Sequence, residues 1–189
     1  MIEIVFDQGC ADRLRKELRK AGSSEIGGVL AAESQADGRF VVVDLSVQRD
    51  GSFASFVRAP GPHRRFMRRF FDRTGHQYER FNYLGEWHSH PSFAAMPSPT
   101  DMRQMQLLVE ERGQTSPFLA LVVVKQSRAG ELEASAHAFR RGQPPLRVGV
   151  SAAQEAAIVA PAPGLRQALK NALSWRRESA PSTRQGGRT

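Results

Sequence analysis

Apolar and polar positions along the chain alternate between two periods, and the switches between them mark the elements. IEIVFD (2–7) alternates apolar and polar residues, which predicts an edge strand. ADRLRKELRKAG follows with Leu14 and Leu18 at helical spacing, with Asp7 placed to cap the start and Gly22 to mark the stop. EIGGVLAA (25–32) and GRFVVVDLSVQ (38–48) read as two strands joined by the turn SQADG. A loop around RAPGP (58–62) leads into a helix with Phe66, Phe70 and Phe71 along one side and arginines along the other. YLGEWHSH (83–90) reads as a strand and PSFAAMP as a loop. A helix opening at Ser98 or Pro99 runs through Leu107 and Leu108 to about Arg112.

PFLALVVVKQ (117–126) is almost continuously apolar, as expected of a strand covered on both faces, and ELEASAHAFR (131–140) pairs with it through SRAG. Strands interleaved with three helices predict a mixed α/β domain ending near residue 150, its bulk within 1–145. From 146 to 189 a different texture is expected: the linker AAQEAAIVAPAPG, a short basic amphipathic helix over LRQALKNALSWRR, and the tail ESAPSTRQGGRT. No internal repeat interrupts this order.

Composition narrows the class. The 189 residues are 40% hydrophobic and 24% charged, ordinary for a globular domain, and no apolar run approaches a bilayer span. MIEIVFDQGC lacks the basic start of a signal peptide, so a soluble cytoplasmic protein is the expectation. The single cysteine, Cys10, excludes an intrachain disulfide and a cysteine-based structural zinc site, and its place at a helix entrance suits a buried bystander. The net charge of +8 comes largely from arginine clusters such as HRRFMRRFFDR (63–73). It suits either a solvated helix face with a basic tail or an acidic partner surface, protein or nucleic acid.

The candidate chemistry lies in GEWHSHPSFAAMPSPTD (85–101). Alternate residues of a strand share a face, so His88 and His90 point the same way with a gap one metal ion can bridge. Zinc accepts two imidazole nitrogens and a carboxylate oxygen and leaves a fourth position to water. Asp101 becomes the third ligand if the loop 91–97 folds back over the strand end. Water on zinc still needs a base, since the ion lowers its pKa only to about 7, and glutamate is the usual partner. Glu25, at the start of a strand and followed by IGG, is the candidate, with Glu33 as a competitor. Gly27 and Gly28 beside it would admit a close neighbour.

Glu25, then His88-Ser89-His90, then residues 91–97, then Ser98-Pro99-Thr100-Asp101, resembles the signature of the JAB/MPN zinc metallopeptidases, the JAMM motif, without insertion or gap. The resemblance covers about residues 1–140. It implies an α/β fold with a mixed, curved sheet flanked by helices, a cytidine-deaminase-like core. It also implies zinc on His88, His90 and Asp101, Glu25 as general base, and Ser98 as a donor to the oxyanion of the tetrahedral intermediate. The activity it implies is cleavage of amide or isopeptide bonds after the C-terminus of ubiquitin-like modifiers. Compact bacterial members accompany ubiquitin-activating and conjugating (E1/E2-like) enzymes, some in antiphage operons. Other relatives process sulfur-carrier proteins or associate with nucleic acid, so a zinc hydrolase of small peptide or sulfur-carrier adducts and a nucleic-acid-associated protein of this type remain alternatives.

Several of these residues have a plainer reading. Ser98-Pro99-Thr100-Asp101 is also a helix opening, with Ser98 as N-cap and Asp101 favourable at the positive end. Glu86 shares a face with His88 and suits either an acceptor behind that histidine or an arginine partner. Trp87 reads as core, and His63, His76 and His137 as surface or satisfied side chains. Gly186-Gly187 resembles a ubiquitin-like C-terminus, but no β-grasp precedes it.

Overall fold

The computed structural model describes residues 1–49, 60–111, 116–127 and 129–153. Its elements are β1 (Glu3–Phe6), α1 (Gln8–Ala21), β2 (Gly27–Ser34), a 3-10 turn (Ala36–Gly38), β3 (Arg39–Leu45), α2 (Pro60–Arg73), β4 (Phe81–Ser89), α3 (Pro99–Glu110), β5 (Leu119–Gln126), β6 (Leu132–Phe139) and β7 (Leu146–Ala152). The sheet runs β1-β3-β2-β4-β5-β6-β7 and closes on itself. It is mixed: β1 is parallel to β3 and β7, and β4 to β5, while the other neighbours are antiparallel. The expected α/β class, a mixed curved sheet with helices on it, is the observed one.

Local signals set most element ends. The Asp7 side chain accepts from the Cys10 N–H at 2.6 Å, and Gly22, at φ 60°, donates its N–H to Leu18 O. Cys10, Ala11, Leu14 and Leu18 form the buried stripe of α1. Burial, seconded by the Asp7 carboxylate, pushes the Cys10 thiol far above its ordinary pKa, so it stays a neutral core group.

β5 is buried on both faces, and its two faces belong to different cores. Ala120, Val122 and Val124 join α1, β1 and Trp87 in the larger cluster, whereas Leu119, Leu121 and Val123 pack with Met105 and Val109 of α3. A parallel partner on one side and an antiparallel one on the other leave this strand no solvent edge.

Two expectations shift. β2 begins at Gly27 rather than Glu25, which leaves Glu25 just ahead of the strand. β7, over 146–152, is a strand the sequence reading did not name, and it pairs with both β6 and β1. Leu146, Val148, Val150 and Ala152 alternate with Arg147, Gly149 and Ser151, and Val148, Val150 and Ala152 pack on the larger core, so a period-two signal was present in the sequence. The expected C-terminal linker and helix beyond it fall outside the described residues.

A bulge in β4 aims the site. The register against β2 shifts between Leu30 and Ala31, so Leu84 has no opposite partner and Gly85 sits at φ 148°. A Cβ at Gly85 would stand 2.0 Å from Ala120 O in the neighbouring strand. Gly85→Ala is therefore expected to cost roughly 3 kcal/mol or more, from strain and overpacking together. Denaturant unfolding checks this, and parental stability in the variant would refute the account of the bulge.

Candidate metal centre

Past the bulge, β4 carries Glu86, His88 and, one residue beyond its end, His90. The His90 N–H donates to Val124 O at 2.9 Å, so the strand's alternation continues and both imidazoles emerge on one face. Their Nε2 atoms lie 3.0 Å apart. Both side chains are buried, His88 almost completely.

Asp101 reaches the same point from α3. Pro99 opens this helix, Ser98 caps it, and the loop 91–97 folds back far enough to bring the two segments together. Asp101 Oδ2 stands 3.5 Å from His88 Nε2 and 3.9 Å from His90 Nε2. Ligands about 2.0–2.1 Å from a tetrahedral zinc lie roughly 3.3 Å from one another. The three observed separations bracket that value, so the donor set fits a zinc ion. Among the described residues these three form the group of potential ligand atoms that could hold a metal.

The supports fit as well. His90 Nδ1 lies 3.0 Å from Ala94 O, and a carbonyl can only accept. The ring proton therefore sits on Nδ1, and the Nε2 lone pair faces the triad. Burial pushes the Asp101 carboxyl up, but hydrogen bonds from His88 and Ser98 outweigh it and hold the pKa at about 2, so the carboxylate is ionised at neutral pH.

The cap and ligand readings of Asp101 are geometrically compatible. Ser98 N–H donates to Asp101 Oδ2 at 2.7 Å, and Asp101 N–H donates to Ser98 Oγ at 3.2 Å, a complete capping box. The capped oxygen is also the one nearest the histidines, and a carboxylate oxygen has lone pairs for both. Ser98 Oγ uses an acceptor site in the cap, so its own O–H proton remains to be donated.

Glu25 arrives by strand pairing. Gly27 lies opposite His88 in the antiparallel register, Ile26 N–H donates to Ser89 Oγ at 3.0 Å, and Ser89 N–H donates to Ile26 O at 2.7 Å. The same register continued one residue brings Glu25 opposite His90. Glu25 is half-buried and shares a cavity of about 550 Å³ with His88, His90, Ser98 and Asp101. Its competitor Glu33 is at the other end of β2, ion-paired to Arg80. Gly28 admits the close neighbour expected there: a Cβ on it would meet Ser46 O at 2.2 Å.

Ser89 escaped the sequence reading. Its period-two position turns it away from the histidines, yet its hydroxyl clamps the segment that bears Glu25. The available signal was a hydroxyl in a buried strand, which must find a hydrogen-bond partner.

Glu86 is buried against Tyr83, not an arginine, and burial pushes its carboxyl up to about 7 against a lowering hydrogen bond from Tyr83. Trp87 is core and donates from Nε1 to Ser46 O. His76 is exposed beside Asp72, and His137 is buried with its pKa pushed down by burial and by Arg147. Neither these two nor His63 lines the cavity. Among the described residues no helix is long and apolar enough to cross a membrane.

The chain is similar to several known proteins. The family described as prokaryotic homologs of the JAB domain matches residues 7–140. A protein of Enterobacter hormaechei subsp. hoffmannii (strain UCI 50), named CD-NTase/cGAS isopeptidase, is 26% identical over 154 residues, covering 77% of this chain and 79% of that protein. Among solved structures, a protein of Desulfitobacterium hafniense superposes with a TM-score of 0.54 at 18% identity, over 79% of this chain and 92% of its own. A JAB1/MPN domain protein of Archaeoglobus fulgidus does so with a TM-score of 0.41 at 14% identity, over 78% and 97%.

Proposed function

We propose, from the premise that the chain belongs to the prokaryotic JAB family, that it is a zinc-dependent isopeptidase that hydrolyses amide bonds after the C-terminus of a ubiquitin-like modifier. The observation that carries the proposal is the convergence of His88, His90 and Asp101 in one cavity with Glu25 on its wall. A relative named as an isopeptidase supports the bond type.

The roles follow from what each side chain has free. His88, His90 and Asp101 would hold the zinc through Nε2, Nε2 and a carboxylate oxygen. When bound, the ion would supply Lewis acidity, acidifying water and polarising a carbonyl. Glu25 would take the proton of the attacking water and return it to the leaving amine, so that amide plus water yields acid plus amine. Ser98 would donate its spare O–H proton to the carbonyl oxygen of the scissile amide, where charge builds. The buried clamp between Ser89 and Ile26 would keep the Glu25 segment in register through turnover.

In this reading the catalytic unit extends through β7, with a basic segment beyond it. The partners are a ubiquitin-like protein, its conjugates and the E1/E2-like enzymes that make them, in the cytoplasm. The test is metal removal. Purified protein should contain about one zinc per chain and cleave a modifier–lysine conjugate. A chelator should abolish cleavage, and added zinc should restore it. Full cleavage by metal-free protein would refute the zinc reading, and a zinc-loaded protein that leaves every modifier conjugate intact would refute the substrate class.

A further inference from the structure

The cavity has two unlike walls. Thr100 and Gln104 of α3 supply polar groups on one side, while the loop between β4 and α3 supplies Phe93, Ala94 and Met96 on the other. Phe93 is 68% exposed and Met96 42% exposed. They are two of the six large apolar side chains left exposed among the described residues, and the two that line this cavity. Two exposed apolar side chains lining one cavity suit a ligand that has an apolar portion of its own.

The loop is also tied to the site by its own contacts. The Phe93 ring meets the His90 ring edge-on at 6.3 Å, His90 Nδ1 donates to Ala94 O, and Met96 N–H donates to the same carbonyl at 2.8 Å. Ala94 O and Met96 N–H are thus engaged inside the loop. What the rim turns outward is a flat ring and a flexible thioether, groups that suit a carbon chain.

We infer that Phe93 and Met96 grip the methylene stem of the lysine whose Nε forms the scissile amide, and so select side-chain-linked conjugates over main-chain fusions. This rests on the isopeptidase reading of the site. In a side-chain-linked amide, four methylenes separate the scissile nitrogen from the next polar backbone group, and all four can lie on the apolar rim. In a main-chain amide, a carbonyl and a second N–H follow after one carbon. Those groups would be stripped of water against carbon and sulfur, which is unfavourable without a partner. Phe93 and Met96 are therefore specificity-determining residues, and the chain is a deconjugating enzyme more than a maturing one.

The test is a stem-length series read by binding. The zinc-loaded full chain is titrated, by NMR, with the Nα-acetyl methylamides of Nε-acetyl-lysine, Nδ-acetyl-ornithine and Nγ-acetyl-diaminobutyrate. Affinity should fall about fourfold with each methylene removed, with shifts at Phe93 and Met96. The double variant Phe93→Ala/Met96→Ser should flatten the series to within about twofold at unchanged zinc content. Phe93→Leu should retain the slope. Both side chains are exposed, so the variants should fold normally. Equal affinity for all three amides, binding of none, or a slope that survives in the double variant would overturn the inference. A flat series with conjugate cleavage intact refutes the rim alone. A graded series with no conjugate cleaved refutes the isopeptidase reading instead.

Discussion

Glu25→Gln is expected to keep its zinc and lose about 10²–10⁴-fold in kcat, the usual share of a positioned general base. Glutamine preserves the size and hydrogen-bonding reach of the side chain and removes only its ability to hold a proton. Glu25 stands ahead of β2 and is no member of the ligand triad, so metal content and affinity should match the parent. Its backbone neighbour Ile26 keeps both hydrogen bonds to Ser89, so stability should also be unchanged. Zinc analysis, thermal unfolding and conjugate cleavage of the same preparation check this. A variant that cleaves at the parental rate would remove Glu25 from the proposed role. One that has lost its zinc would place Glu25 among the ligands.

His88→Ala should abolish both the metal and the activity. The substitution removes one of three donors at the best-buried position of the site and leaves Asp101 without the hydrogen bond that helps to hold its pKa at about 2. Disturbing a residue that merely supports a ligand costs 10–100-fold in metal affinity, so loss of the ligand itself should exceed about a hundredfold. Zinc that binds only the folded chain at 100 times its Kd adds about 2.7 kcal/mol to stability. The parent should accordingly gain several degrees in Tm on zinc addition, and His88→Ala should gain none. The zinc-induced shift is the quantity to read, because an alanine at a buried site lowers Tm by itself. A parental shift in His88→Ala would refute the ligand assignment.

Some of the architecture was written in short-range patterns. Leu14 and Leu18 between Asp7 and Gly22 contain the whole of α1, because capping and amphipathicity act within a few residues. The unbroken apolar run of β5 announced a strand buried on both faces. The spacing of His88, Ser89 and His90 announced two imidazoles on one side of a strand, because the pleat has a period of two.

Other features depend on residues far apart in the chain. β7 alternates apolar and polar residues, but nothing local says that it closes the sheet by pairing with β1, more than 140 residues earlier. The sequence favoured Glu25 and left Glu33 as a competitor. Pairing with β4 sends one into the cavity and the other to Arg80. Ser89 gave no sign of its partner, since Ile26 is 63 residues away.

The sequence by itself determined the element types up to β6, the parity that puts His88 and His90 on one face, and the donor chemistry a zinc ion would meet. Only the tertiary structure decided how those donors combine. It brought Asp101 back over the strand with a single oxygen facing both the cap and the two imidazoles, put Glu25 rather than Glu33 on the cavity wall, and left Phe93 and Met96 exposed there. The division has a physical cause. Periodicity and capping are set by covalent geometry over a few residues, whereas convergence on one point depends on register and loop closure across the whole sheet.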